Sequence, residues 1–559
     1  MRARAGRPVV VVAVAALVAS TVTLTTATGS TAGERVSRTL RDGTPQQAGL
    51  VAAPVEQMKT DLESYLAPSP TRPMYAGGVV LAGHDGYVVQ RAAAGYALRY
   101  ADGAGTELPP DQWVPMRTDS IFDLASVSKL FTSIALVQQV QAGRIDLDRT
   151  VASYLPAFAA NGKQDVTVRQ LLTHTSGFPA WLPLWSAYPT PEARIQAVYD
   201  AKLVNAPGTA YLYSDLNMIT AGKLVELVTG STLDEVVHDR ITAPLGMTDT
   251  GYNPPASELD RIAATEYQTA PPRGMVRGSV HDENAWALNG VAGHAGVFST
   301  ADDLAVLAQT IVNGGSYGDT RILSEASVDA LLRNENTEFP ANSHGLGFEL
   351  DQRFYMDAMA TPGTAGHTGY TGTSIVIDRA SKSFVILLTN RVHPSRGWGS
   401  NNVARRAVAR DMALAVPVRP QEGRTAWFSG LGDARTVSLS APVELSAASA
   451  RLTFDLWYDT EPTDVVTLEA STDGGSSWQE LRRWSGWSGR TWGEQSVDLG
   501  ALEGPVTLRW RYASDALYQG RGVYVDAIRV TSPGHVDFDD SRAQDADAVQ
   551  LAGWSASAT

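Results

Sequence analysis

Ser126-Val127-Ser128-Lys129 opens an apolar run (Leu130, Phe131, Ile134, Ala135, Val137, Val140) with helical spacing. A serine and a lysine three residues apart project from one helical face, so the amine reaches the hydroxyl it would deprotonate. At the first turn the serine also meets the positive end of the helix dipole, where its own backbone N–H can stabilise an oxyanion. Acyl transfer needs that geometry. Alone the pattern is weak: about two chance Ser-x-x-Lys matches are expected in a chain of this length, and serine is a favoured helix cap.

Two further segments give it meaning. Tyr213-Ser214-Asp215 follows the turn Pro207-Gly208-Thr209, which would deliver the tyrosine to a cleft rim. A phenol near Lys129 can share its proton and serve Ser126 as general base and acid. His367-Thr368-Gly369 directly precedes a strand signal at Thr373 to Ile377, so its backbone can line an edge beside the nucleophile. The N–H of Tyr370 would be the second oxyanion donor, and Gly369 would let substrate approach closely.

These three motifs, in this order, resemble the serine β-lactamase and penicillin-binding protein superfamily, in particular class C β-lactamases, D-alanyl-D-alanine carboxypeptidases and related esterases. The resemblance covers about Arg35 to Ala415. It is supported by Leu171 to Gly177, by Ala292 to Thr300 and by Leu388 to Pro394, while Asp282-Glu283-Asn284-Ala285 is similar to a low-molecular-mass penicillin-binding protein subgroup. It implies Ser126 as acylated nucleophile, Lys129 as its proton partner and Tyr213 as catalytic tyrosine. Asp215, His367, Thr368 and Gly369 would contact substrate, with no cofactor and no metal.

Two residues depart from the pattern. His367 stands where many relatives carry lysine, a fixed cation for a substrate carboxylate; histidine is mostly neutral at pH 7. Asp215 stands where class C β-lactamases usually have asparagine, and an ionised aspartate only accepts hydrogen bonds. A carboxylate there also favours the ammonium form of Lys129 and moves the general-base role towards Tyr213.

The remaining sequence sets the frame. With 559 residues, 44% hydrophobic and 19% charged, the chain can build two or three domains. A net charge of -14 without a basic cluster gives no footprint for nucleic acid. Arg2, Arg4 and Arg7, the apolar run Val9 to Leu24 and small residues through Gly33 have the layout of a secretory signal peptide, the alternative being an uncleaved membrane anchor. Zero cysteines exclude disulfides and a cysteine nucleophile. The nine histidines show no zinc-binding spacing.

The expected fold is α+β. Strand signals at Gly77 to Ala82 and Tyr87 to Ala92 flank an Asp-Gly turn and return at Thr373 to Ile377 and Phe384 to Thr389, with a largely helical lobe from Ser126 to about Asn334 between them. The strands would pair into one antiparallel sheet. The expected domains are a signal peptide at 1–33, a β-lactamase-like hydrolase at 34–415, a linker at 416–423 around Pro417-Val418-Arg419-Pro420, and a β-sandwich at 424–559.

The last part holds eight of the 13 tryptophans and alternates apolar and polar residues, as in Val506 to Tyr512. It resembles the jelly-roll sandwiches of immune-inhibitor-A peptidases, related to MAM domains, on Leu456 to Asp459 and Gly520 to Ile528. Its tryptophans would be core residues or would stack on sugar rings. The acidic tail residues Asp537, Asp539, Asp540, Asp545 and Asp547 read as a solvated run or a Ca²⁺ site. His174 and His294, beside glycines, read as hydrogen-bonding residues or catalytic ones, and Trp181 as a pocket wall or a loop anchor.

The expected protein is an exported serine hydrolase acting on D-alanyl peptides or small esters. The alternatives are a β-lactamase, or a non-catalytic peptide- or glycan-binding protein of the same fold. Expected partners are a small-molecule or peptide substrate and, through the C-terminal domain, cell wall or polysaccharide.

Overall fold

The computed structural model describes residues 37–500 and 502–559. The expected signal peptide lies outside them. Among the described residues no helix is long and apolar enough to cross a membrane.

The strand signals from the two ends of residues 34–415 pair as expected. Strand β1 (Gly77–His84) forms a hairpin with β2 (Tyr87–Leu98) and pairs antiparallel with β5 (Ser383–Thr389), which continues to β4 (Ser374–Asp378) and β3 (Thr364–Thr368). The eight-stranded sheet is closed at its edges by Arg41–Asp42, parallel to β2, and by Glu349–Leu350.

Side chains alternate across this sheet, and both faces are covered. Val79, Leu81, Ile375, Ile377 and Ile386 face one core with the buried helix α2 (Ser128–Gln141). Val80, Ala82, Val376, Val385 and Leu387 face a second core with α1 (Ala52–Ser64) and α6 (Asn402–Ala415). Burial on both faces explains why these strands read as continuous apolar runs. Between β2 and β3 lie α2, α3 (Asp215–Thr229), α4 (Glu283–Ala287) and α5 (Ala301–Val312), and short two-stranded hairpins interrupt the expected helical lobe.

After Ala415 the chain enters two antiparallel sheets of six and five strands that enclose a separate apolar core, including Phe454, Leu468, Trp510 and Ile528. Residues 416–423 are not a free tether. Val418 is buried, the Arg419 carbonyl accepts from Trp492, and the amides of Gln421 and Glu422 donate to Asp526. The sandwich is also clamped to the first domain. Arg490 reaches Asp378 at the end of β4 (3.0 Å), Asp459 (3.1 Å) and the Ala358 carbonyl (2.8 Å), while Arg521 donates to the last turn of α6 at Ala413.

Trp457, Trp510 and Trp554 are buried, whereas Trp487 is exposed. Only Asp547 of the acidic tail is exposed as a solvated run would be: Asp539 pairs with Arg529, Asp540 accepts from Trp427, Asp537 accepts from Ser446 and Ser532, and Asp545 accepts from the Asp539 amide.

Candidate active site

Ser126 lies in a single 3-10 turn, Ala125–Val127, that feeds directly into α2. Ala125 just before it has a left-handed φ of 46°, an unusual conformation for a residue with a Cβ. The buried carboxylate of Asp123 holds the turn by accepting from the Ala125 and His281 amides at 2.8 and 2.5 Å.

Lys129, one turn on, is 1% exposed. Its ammonium donates to Ser126 Oγ (2.8 Å) and to the His294 carbonyl (3.0 Å), and pairs with Asp215 (2.9 Å). A lysine has three N–H donors, and all three are committed. Burial alone would depress its pKa, but the charge of Asp215 and the hydrogen bonds to Asp215 and the Tyr213 hydroxyl outweigh that and hold it above the ordinary lysine range.

The Tyr213 ring lies 4.9 Å from Lys129 Nζ, and its hydroxyl faces Lys129 and Ser126. Burial raises its pKa, with Asp215 adding to the effect and Lys129 opposing it, so the resting phenol is protonated. His174 sets the position of this segment. Its ring packs 4.6 Å from that of Tyr213, and its Nδ1 accepts from the Ser214 amide at 3.1 Å. Ser214 caps α3 by accepting from Leu216, which places Asp215 at the first helical position.

His367 lies on β3 itself, not before a strand. Its Nδ1–H donates to the Thr368 carbonyl at 2.8 Å, and burial together with Lys129 pushes its pKa down to about 3. The ring is neutral at pH 7, as its sequence position suggested. Thr368 ends β3, opposite Ser374.

Gly369 is required for a reason other than substrate approach. A Cβ there would lie 2.3 Å from the Leu124 carbonyl and 2.1 Å from Thr373 Oγ1. The turn after β3 is packed onto the segment that leads to Ser126, and Thr371 and Thr373 donate to the carbonyls of Asp123 and Leu124. Arg405 of α6 secures the turn through the Gly369 and Thr373 carbonyls. The Gly369 and Gly372 amides are hydrogen-bonded, whereas that of Tyr370 has no acceptor among the described residues.

The cleft has a volume of about 270 Å³, and its walls include Ser126, Trp181, Asp215, Asp282, His294 and Tyr370. Trp181 is therefore a pocket wall. Sequence reasoning missed Asp123, singled out Asp282 only within a family-like motif and without a role, and left His294 between two roles. His294 Nε2 donates to Asp282 Oδ1 at 2.9 Å, and Asp282 also caps α4 through the Ala285 amide. Burial works against the charge on Asp282, but His294 outweighs it and holds the carboxyl well below its usual range. Asp215, Asp282 and His294 bring carboxylate and ring atoms within 4.8 Å of one another, with the Lys129 ammonium as the paired positive charge beside them.

A half-buried serine bonded to a buried lysine, a tyrosine facing both and an acceptor-free amide across a small cleft make a machine for attack on a carbonyl. The beta-lactamase family model matches residues 62–410, and the chain belongs to that family as a serine hydrolase. A second model, for the MAM domain of immune inhibitor A-like proteins, matches residues 400–559. A protein of Escherichia coli K12 named "Putative D-alanyl-D-alanine carboxypeptidase" is 32% identical over 390 residues, 63% of this chain and 86% of that protein. A protein of the same name from Salmonella schwarzengrund is 32% identical over 344 residues, covering 55% of this chain and 77% of that one. Two solved structures share the fold at 22% identity: EstCE1, a hydrolase with promiscuous acyltransferase activity (TM-score 0.51, 66% of this chain and 99% of that one), and a penicillin-binding protein homologue from Caulobacter crescentus (TM-score 0.50, 65% and 98%).

Proposed function

We propose that the chain is an exported hydrolase that works through an acyl-enzyme on Ser126, with D-alanyl peptides of cell wall as its substrate class. The observation that carries this reading is the fully committed Lys129 ammonium between Ser126 and Asp215. Ser126 Oγ attacks the carbonyl carbon, the N–H groups of Ser126 and Tyr370 receive the oxyanion, and the leaving group departs with a proton relayed through Tyr213. Water then resolves the ester.

Because Lys129 and Tyr213 both rest protonated, the serine is activated once this pair has lost one proton to solvent. Named relatives of the carboxypeptidase type support the peptide substrate. Neutral His367 favours a second reading, small esters without a carboxylate. The layout of residues 1–33 supports export. Wall or polysaccharide attachment through the sandwich has exposed Trp487 as its support.

The test is turnover of D-Ala-D-Ala peptides beside p-nitrophenyl esters by the wild-type chain. Release of D-alanine supports the first reading, ester cleavage alone selects the second, and saturable binding without product from either would leave only a binding protein.

A further inference from the structure

A cavity of about 430 Å³ lies where the sandwich meets the first domain, and it shares no wall residue with the cleft that holds Ser126. Ala380 and Ser381, in the turn between β4 and β5, and Ala413 of α6 form one side, while Trp457, Trp492 and Arg521 of the sandwich form another. Its size is that of a small-molecule site, for which about 300 to 1,000 Å³ is usual.

Charge marks this cavity. Three arginines, Arg419, Arg490 and Arg521, line it, and no carboxylate does. Arg490 is spent on Asp378 and Asp459, at 3.0 and 3.1 Å. Arg521 is not spent. The residue is 3% exposed, its Nε–H donates to the Ala413 carbonyl at 3.1 Å, and its guanidinium lies 5.4 and 5.3 Å from the ring centres of Phe428 and Tyr524. Its Nη1 is buried and has no hydrogen-bond partner among the described residues. Asp459, the carboxylate whose charge reaches it, is already held by Arg490. Burial lowers the Arg521 pKa, with Arg490 adding to the effect and Tyr524 and Asp459 opposing it. A buried cation with an unfilled donor costs stability until an anion completes it. Arg419 stands at the exposed rim of the same space.

We propose that this cavity binds a carboxylate carried on a ring, with Arg521 pairing with the carboxylate, Arg419 adding its charge at the rim, and Trp457 and Trp492 lying against the ring. Guanidinium N–H groups match the two oxygens of a carboxylate. Two unspent cations, one of them exposed to solvent, suit a single negative charge rather than a phosphate dianion. The indoles, with buried Val418 beside them, supply the surface for an apolar or sugar body. Walls from both domains mean that the occupant bridges them. A carboxylated sugar and an aromatic acid share this chemistry, and the site is independent of the Ser126 chemistry.

The experiment is calorimetric titration of the full chain with N-acetylmuramic acid and with 1-naphthoate, beside their neutral counterparts N-acetylglucosamine and 1-naphthamide. At least one carboxylate is expected to bind with a Kd below about 1 mM, and its neutral counterpart about tenfold or more weaker. Binding of the muramic acid selects the sugar source, and binding of naphthoate alone selects the aromatic acid. Arg521→Gln is expected to lose about tenfold or more in affinity. Ala380→Trp fills the cavity from an exposed position that leaves the Arg490 and Arg521 contacts in place, and the same loss is expected from it. Absence of binding by either carboxylate in the wild type would overturn the proposal. So would equal affinity for charged and neutral probes, or affinity unchanged in Ala380→Trp.

Discussion

Lys129 and Asp215 are joined by a 2.9 Å ion pair whose lysine end is almost wholly buried. A carboxylate so placed fixes the ammonium and raises the pKa of both Lys129 and Tyr213. Its removal lowers both. Asp215→Asn is therefore expected to shift the rise of kcat/KM with pH to lower pH, by about one unit or more, the scale of a close charge effect. The same substitution supplies an amide donor, so hydrolysis of a β-lactam rises relative to that of a nitrophenyl ester. Paired pH–rate profiles check both statements, and an unmoved profile with an unchanged ratio would refute them.

Gly369 gives a second prediction. The Leu124 carbonyl is backbone and cannot swing aside from a Cβ built 2.3 Å away, so Gly369→Ala pushes the Tyr370 turn off the Ser126 segment. Loss of one oxyanion donor costs about 10²–10³ in kcat, and a loss of that order is expected here. The comparison is steady-state kinetics beside near-ultraviolet circular dichroism, which should remain that of a folded chain.

Arg490 gives a third. It pairs with Asp378 and Asp459, whose side chains are essentially without exposure. Breaking a buried pair by removing one partner costs about 3–5 kcal/mol. Arg490→Ala should thus lower the unfolding free energy by about that amount, read from denaturant titration, and loosen the sandwich from the hydrolase, which limited proteolysis near residues 416–423 would detect.

Acid sensitivity gives a fourth. Burial pushes His367 and His393 down to about 3 and His344 to about 4, from an ordinary value near 6.5. Below pH 6.5 the unfolded chain takes up protons that the native state refuses, so stability is full above 6.5 and falls as pH drops towards 3–4. Each such histidine contributes a slope of at most about 1.4 kcal/mol per pH unit. Thermal unfolding from pH 7 to 4 should show the decline, and His344→Gln should flatten it.

Much of this was legible in sequence because the motifs are local. Ser126 and Lys129 share one helical turn, and Tyr213-Ser214-Asp215 carries its own cap, so spacing alone reports their geometry. The strand pairing was legible from apolar runs at both ends of the region. Long-range packing was not. The role of Gly369 depends on Leu124, 245 positions away, and the buried Asp123 looks like any aspartate before a helix. The acidic tail misled because its partners, Arg529, Trp427 and Ser446, are brought to it only by the sandwich.

The most direct test of the central claim is intact-mass spectrometry of the chain after exposure to a fluorescent penicillin and to an activated phosphonate, followed by peptide mapping. A single adduct on Ser126 that disappears in Ser126→Ala is the predicted result. An adduct that persists in Ser126→Ala, or that maps to another residue, would contradict the account.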